Sequence, residues 1–178
     1  MDTKSLVKLT SRAWSLSILA KLHAGVPGRQ APLIAATGAS RSSFTQSLGH
    51  LIELRLLEKN PGHGHPLRPE FRLTQSGKEM AEVASRIVKA VPDEKDFALL
   101  RRSWTVPILA VTQTPQRFSA IKSDLYTITD RALSKSLYLL ETHDWLRRDI
   151  DVSGRSPFPT YLAINRGIEV NKAIALAK

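Results

Sequence analysis

The chain has 178 residues, 42% of them hydrophobic, and a net charge of +10 from 26 Lys and Arg against 16 Asp and Glu. That apolar content supports packed cores rather than wholesale disorder, and the length suits one domain or two small ones. The absence of cysteine excludes disulfides, Cys-ligated zinc, iron–sulfur clusters and thiol redox sensing, while the cationic surplus favours a polyanionic partner, nucleic acid first. The opening Met-Asp-Thr-Lys-Ser-Leu-Val-Lys has no long apolar core, and no run of ~18 apolar residues occurs. A soluble protein with no membrane partner, cytoplasmic and nucleoid-associated, is the expectation.

From about Thr3 to Ala24 the positions Leu6, Leu9, Ala13, Leu16 and Ala20 share one face, with Trp14, Ile18 and Leu22 beside it. This predicts one helix, stopped at Gly25. Ala31–Thr37 reads as a short second helix, with Pro32 tolerated in its first turn and Gly38 as its stop. Ser40 then suits an N-cap, because its hydroxyl can accept an orphan backbone N–H. Phe44, Leu48, Leu51 and Ile52 follow at i, i+4, i+7 and i+8, the stripe of a helix lying on a core. The opposite side carries Arg41, Ser42, Thr45, Gln46 and His50, hydrogen-bonding groups with hardly any acid. An ordinary solvated face mixes Glu with Lys; this one suits a polar, anionic partner. A short helix, a tight Gly turn and an amphipathic helix make a helix-turn-helix.

Leu56–Lys59 can form a strand and Phe71–Leu73 its return. Between them Pro61-Gly-His-Gly-His-Pro66 is expected to be neither helix nor strand interior. A hairpin directly after a helix-turn-helix is a wing. A further helix is predicted from Thr74 to about Val91. Pro92-Asp93 is the expected boundary between residues 1–92 and 93–178, with Asp93 capping the next helix and Glu94 and Asp96 suiting its positive end.

Beyond that boundary a helix is predicted over about 93–112, kinked by Pro107. Phe118 leads into a helix over Ser119–Tyr126, and Thr129 caps a long helix. Arg147–Val152 reads as a strand, Ser153–Pro159 as a wing turn and Tyr161–Ile164 as the return strand, with a terminal helix after Asn165.

The second series repeats the first. At a shift of 89, Thr129 falls on Ser40, Leu133 on Phe44, Leu137 on Leu48, Leu140 on Leu51 and Trp145-Leu146 on Leu56-Leu57. At a shift of 90, Trp104…Ile-Leu-Ala meets Trp14…Ile-Leu-Ala, and Pro159-Thr-Tyr161…Gly167 meets Pro69-Glu-Phe71…Gly77. Matches in one order at nearly one offset point to an internal duplication. The expected fold is therefore mainly α with small β-hairpin wings: two tandem winged helix-turn-helix modules forming a pseudo-dimer.

Trp and Ile-Leu, a capped helix with Leu-x3-Leu-x2-Leu, then Leu-Leu-Glu-Lys, a Pro-containing wing and Pro69-Glu-Phe-Arg-Leu-Thr-Gln-Ser-Gly77 together resemble the winged-helix transcription regulators of the HxlR type, relatives of the MarR group. The second copy carries a degraded closing signature, Pro159-Thr-Tyr-Leu-Ala-Ile-Asn-Arg-Gly167. Family members typically have one module per chain and act as homodimers; two modules here suggest a monomeric, covalent pseudo-dimer. The resemblance implies that the third helix of each module enters the major groove of double-stranded DNA.

The residue types agree, since helix N-termini bind phosphate while Gln, Arg, Ser and Thr can read base edges. Candidate contacts are Ser40, Arg41, Ser42, Ser43, Thr45, Gln46 and His50 in the first copy. In the second they are Thr129, Asp130, Arg131, Ser134, Lys135 and Tyr138, Asp130 being either a cytosine reader or a helix-start acid. Wing residues His63, His65, Arg68 and Arg155 could reach a groove or the backbone, or belong to a polar loop. His63-x-His65 lacks the companions of a metal site. Trp14, Trp104 and Trp145 sit in apolar stripes and are expected in the core, the alternative being a ligand pocket at the module interface.

No Gly-rich phosphate loop, nucleophile elbow or paired-carboxylate motif is present, so neither an enzyme nor a cofactor is expected. Two functions remain. One is a sequence-specific transcription regulator using both recognition helices on an asymmetric site, with RNA polymerase or another regulator as a further partner. The other is a protein–protein scaffold of a chromosome-organising complex.

Overall fold

The computed structural model describes residues 2–65, 68–154 and 156–175, the side chains of 62–65, 68 and 175 apart. In chain order the elements are α1 (Thr3–Thr10), α2 (Ser15–His23), α3 (Gln30–Thr37), α4 (Arg41–Glu53), β1 (Leu57–His65), β2 (Arg68–Leu73) and α5 (Gln75–Lys89). They continue with α6 (Glu94–Leu100), α7 (Thr105–Val111), β3 (Gln116–Arg117), α8 (Phe118–Asp124), α9 (Asp130–Thr142), β4 (Leu146–Asp151), β5 (Phe158–Ala163) and α10 (Arg166–Ala175). Two compact units result, one of Arg12–Lys89, the other of Met1–Ser11 with Ala90–Lys178. Among the described residues no helix is long and apolar enough to cross a membrane.

The single helix predicted over 3–24 is two. At Ser11 both the backbone N–H and the hydroxyl turn back to the Lys8 carbonyl, at 3.3 and 2.8 Å. The Thr10 hydroxyl lies 3.0 Å from the Leu6 carbonyl and 2.8 Å from that of Ser103. Hydroxyls that compete for backbone partners suit a helix end, and the shared apolar periodicity across residues 6–20 concealed it. The consequence is large. Helix α1 packs on α7 and belongs to the second unit, whereas α2 packs on α5.

In the unit of Arg12–Lys89, Leu16, Ile18, Leu19, Leu33, Phe44, Leu51, Leu57 and Ile87 are buried. The turn into α4 is built as the sequence dictates: Gly38 takes a left-handed φ of 71°, and the Ser40 side chain accepts the Ser43 N–H. The expected stripe of α4 holds at Phe44, Leu48 and Leu51 but fails at Ile52, which is 37% exposed. At 100° per residue Ile52 stands about 80° from Phe44, at the stripe's edge. The other edge is taken by buried Ser47, whose hydroxyl accepts the Trp14 N–H at 3.3 Å.

The hairpin departs from expectation. β1 runs on through Pro61 to His65, pairing Lys59 with Phe71 and Gly64 with Pro69 across a register shift. Residues 60–63 thus bulge opposite Glu70. A proline is tolerated there because a bulge does not require its missing N–H. A short bridge between Arg29 and Glu70 adds a rung on the far side of β2.

In the second unit, α6 and α7 replace the helix predicted over 93–112. Pro107 does not kink it. The proline is the third residue of α7, where its N–H would have no intrahelical partner. Asp93 holds the N-cap position of α6 without a side-chain cap; its carboxylate meets Arg166 at 3.2 Å instead. The sheet runs β3-β5-β4. With two residues, β3 is too short for a periodicity to reveal. Phe158 and Pro159, expected in the wing turn, already pair with Asp151 and Ile150. Of the three tryptophans only Trp145 is fully buried, at 1% exposure. Trp14 and Trp104 are half-buried N-caps of α2 and α7.

One corner has the same construction in both units. After α4, Arg55 has φ 56° and Leu56 N–H reaches the Leu51 carbonyl at 3.0 Å; after α9, Asp144 has φ 56° and Trp145 N–H reaches Leu140 at 2.9 Å. The carbonyls of Leu56 and Trp145 then accept from Thr74 and Ile164. At Gly77 and Gly167 the next helix passes so close that a Cβ would stand 1.9 Å and 2.1 Å from those same two carbonyls. Only glycine permits such an approach.

Candidate nucleic-acid interface

The helix-turn-helix of the first unit is α3, the Gly38 turn and α4. With Ser40 as cap, α4 begins with no acid in its first turn, so the partial positive charge of its N-terminus is uncompensated by a carboxylate there. Ser40, Arg41, Ser42, Thr45 and Gln46 are exposed, and Ser43 is half-buried. Ser40 lies 3.3 Å from the Ser42 hydroxyl and donates to that of Ser43 at 3.0 Å, while Thr45 returns its proton to the Arg41 carbonyl at 2.9 Å. Arg41 and Gln46 are the long side chains of this surface, with the donors that phosphate or a purine edge requires. A Cβ at Gly49 would meet nothing within 4 Å, so the surface continues open past Gln46. His50 is withdrawn from it, its side chain 16% exposed and its Nδ1 3.8 Å from Glu53.

In the hairpin beside this helix Arg72 pairs with Glu58 at 2.7 Å, and Glu70 meets Asn60 at 3.0 Å and Arg29, just before α3, at 3.9 Å. The side chains of His63, His65 and Arg68 lie outside the described residues, as does Arg155.

In the second unit α8 and α9 hold the corresponding places. The Thr129 hydroxyl accepts the Ala132 N–H at 3.2 Å, and Leu133, Leu137 and Leu140 are buried. Thr129, Asp130, Arg131, Ser134, Lys135 and Tyr138 are all exposed, Tyr138 at 71%. The sites differ in charge at their start. Where α4 opens with Arg41, α9 opens with Asp130, ion-paired to Lys122 of α8 at 2.7 Å. Lys122 was missed in the sequence, since a pair formed between two successive helices has no fixed spacing to betray it. Around the β4–β5 hairpin Arg147 pairs with Asp149 at 2.8 Å, and the Arg117 guanidinium stacks 3.4 Å above the Phe158 ring. Hydrogen bonds from the Ser153 hydroxyl, then its N–H, hold the Asp151 carboxyl below the usual carboxylate range.

No curated protein and no solved structure matches the chain. A family model does, from residue 9 to residue 95, just under half the chain. That stretch contains α2 to α5 and the acid-free start of α4, and it is similar to the HxlR-like helix-turn-helix family.

Proposed function

We propose that the protein is a sequence-specific, double-stranded-DNA-binding transcription regulator, with tandem winged helix-turn-helix modules that act as a pseudo-dimer within one chain. The observation that carries this reading is α4: a capped helix with an acid-free first turn and Arg41, Ser42, Thr45 and Gln46 in the open, inside the HxlR-like stretch. The repeated corner at Leu56–Gly77 and Trp145–Gly167 supports the tandem reading, because a chance likeness of sequence would not place two glycines against matching carbonyls. The net charge of +10 supports a polyanionic partner. In this reading α4 and α9 contact successive half-sites, the wings approach the backbone, and the protein resides on the nucleoid. RNA polymerase or a second regulator would meet the exposed apolar side chains of the second unit, Ile150 and Val152.

The test is binding to duplexes selected from random sequence, followed by fluorescence anisotropy over a range of salt. A specific duplex bound more tightly than random DNA, with affinity falling as salt rises, is expected. Binding that ignores both sequence and salt would return the protein to the scaffold reading.

A further inference from the structure

We infer that Asp130 is a built-in substitute for a DNA phosphate in the second unit, and that it keeps Lys122 off the duplex. The inference rests on the DNA-binding reading and deepens it, because it withholds one cationic contact from half of the interface.

The ion pair joins the first residue of α9 to the last turn of α8, with Lys122 Nζ 2.7 Å from Asp130 Oδ1. Its position is where a duplex backbone would meet a helix-turn-helix, beside the N-terminus of the second helix. Neither partner is needed for the fold. The cap of α9 is supplied by Thr129, not Asp130. Helix α8 and the turn are anchored by Ile121, Leu125 and Ile128, which are 0%, 0% and 3% exposed. The two side chains are 46% and 67% exposed, and such a surface pair contributes little to stability. What the pair does change is the local field. A carboxylate at the start of α9 compensates the helix end and repels an incoming phosphate, and it occupies the basic residue of α8. In the first unit Arg41 stands at the same place, so that end of the interface attracts a phosphate at once. The second unit would therefore leave unmade a phosphate contact that Lys122 could otherwise supply.

The experiment uses the full chain and a mixed-sequence duplex, titrated by fluorescence anisotropy at several salt concentrations. Asp130→Asn should tighten binding several-fold and steepen the slope of log affinity against log salt by about one, as Lys122 gains a phosphate. Asp130→Ser should do the same, which excludes the new amide as the source. Lys122→Met should leave the slope of the wild-type chain nearly unchanged but abolish the gain in the double variant with Asp130→Asn. The inference is overturned if the wild-type chain binds and neither Asp130 variant changes affinity or slope. It is equally overturned if Lys122→Met alone flattens the slope by about one, since Lys122 would then already be on the phosphate. Failure of the wild-type chain to bind any duplex overturns the DNA-binding reading itself, and this inference with it.

Discussion

At the scale of single residues, Arg41 and Gln46 differ from the hydroxyls around them in reach. Each can form two parallel hydrogen bonds with a purine edge, so Gln46→Ala and Arg41→Ala should each cost about 1–3 kcal/mol on the preferred duplex and relax one base position. Equal losses on specific and random duplexes, measured by competition, would remove the residue from the readers. Ser40→Ala should lower stability by about 0.5–2 kcal/mol in chemical denaturation, because the Ser43 N–H loses its acceptor. The cap at Ser40 and the open positions of Arg41 and Gln46 were legible because capping and amphipathic spacing are local rules. Asn165 was not. In the first unit the Thr74 hydroxyl donates to the Arg55 carbonyl at 2.7 Å; the second unit has Ile164 at that point, and the Asn165 amide donates to the matching Asp144 carbonyl at 3.1 Å. The two corners thus make the same kind of hydrogen bond from neighbouring positions, which no comparison of letters position by position detects.

At the scale of elements, two glycines with opposite surroundings give a paired expectation. Gly77→Ala forces a Cβ onto the Leu56 carbonyl and should destabilise by about 1–3 kcal/mol or more. Gly49→Ala adds a methyl to open space inside α4 and should stabilise by about 0.5–1 kcal/mol. Thermal melts of the two variants check both signs; a stabilising Gly77→Ala would contradict the close approach of α5 to the corner. The order of elements was readable from α2 to α5 because each has its own stop signals. Where it failed, the cause lay beyond the segment concerned. Beside the break between α1 and α2 the Thr10 hydroxyl donates to the distant Ser103 carbonyl, and the two-residue β3 pairs with β5.

At the scale of the whole molecule, the split of charge has a consequence for the DNA. Residues 1–92 hold 13 Lys and Arg against 6 Asp and Glu, or +7, and residues 93–178 hold 13 against 10, or +3. With Arg41 answered by Asp130 and Gln46 by Lys135, the operator should be asymmetric, with half-sites about 10–10.5 bp apart. Selection that returns a perfect palindrome would argue against two unlike readers. If ~6 phosphates are neutralised, the salt slope should be about −5. The discontinuous second unit makes a different demand. Because Leu6 and Leu9 are buried and α1 packs on α7, deleting residues 1–11 should strip amide protection from α7 while α2 to α5 keep theirs, read by hydrogen exchange. The same feature orders events on the ribosome. Helix α1 is made first, yet α7 follows it only after the whole of the other unit, a wait of roughly 5–20 s at about 5–20 residues per second. Eight residues are too few for a stable helix alone, so during that interval the N-terminal segment waits as coil while the Arg12–Lys89 unit closes without it. A nascent chain would thus carry a finished helix-turn-helix before its first-made segment had found its place.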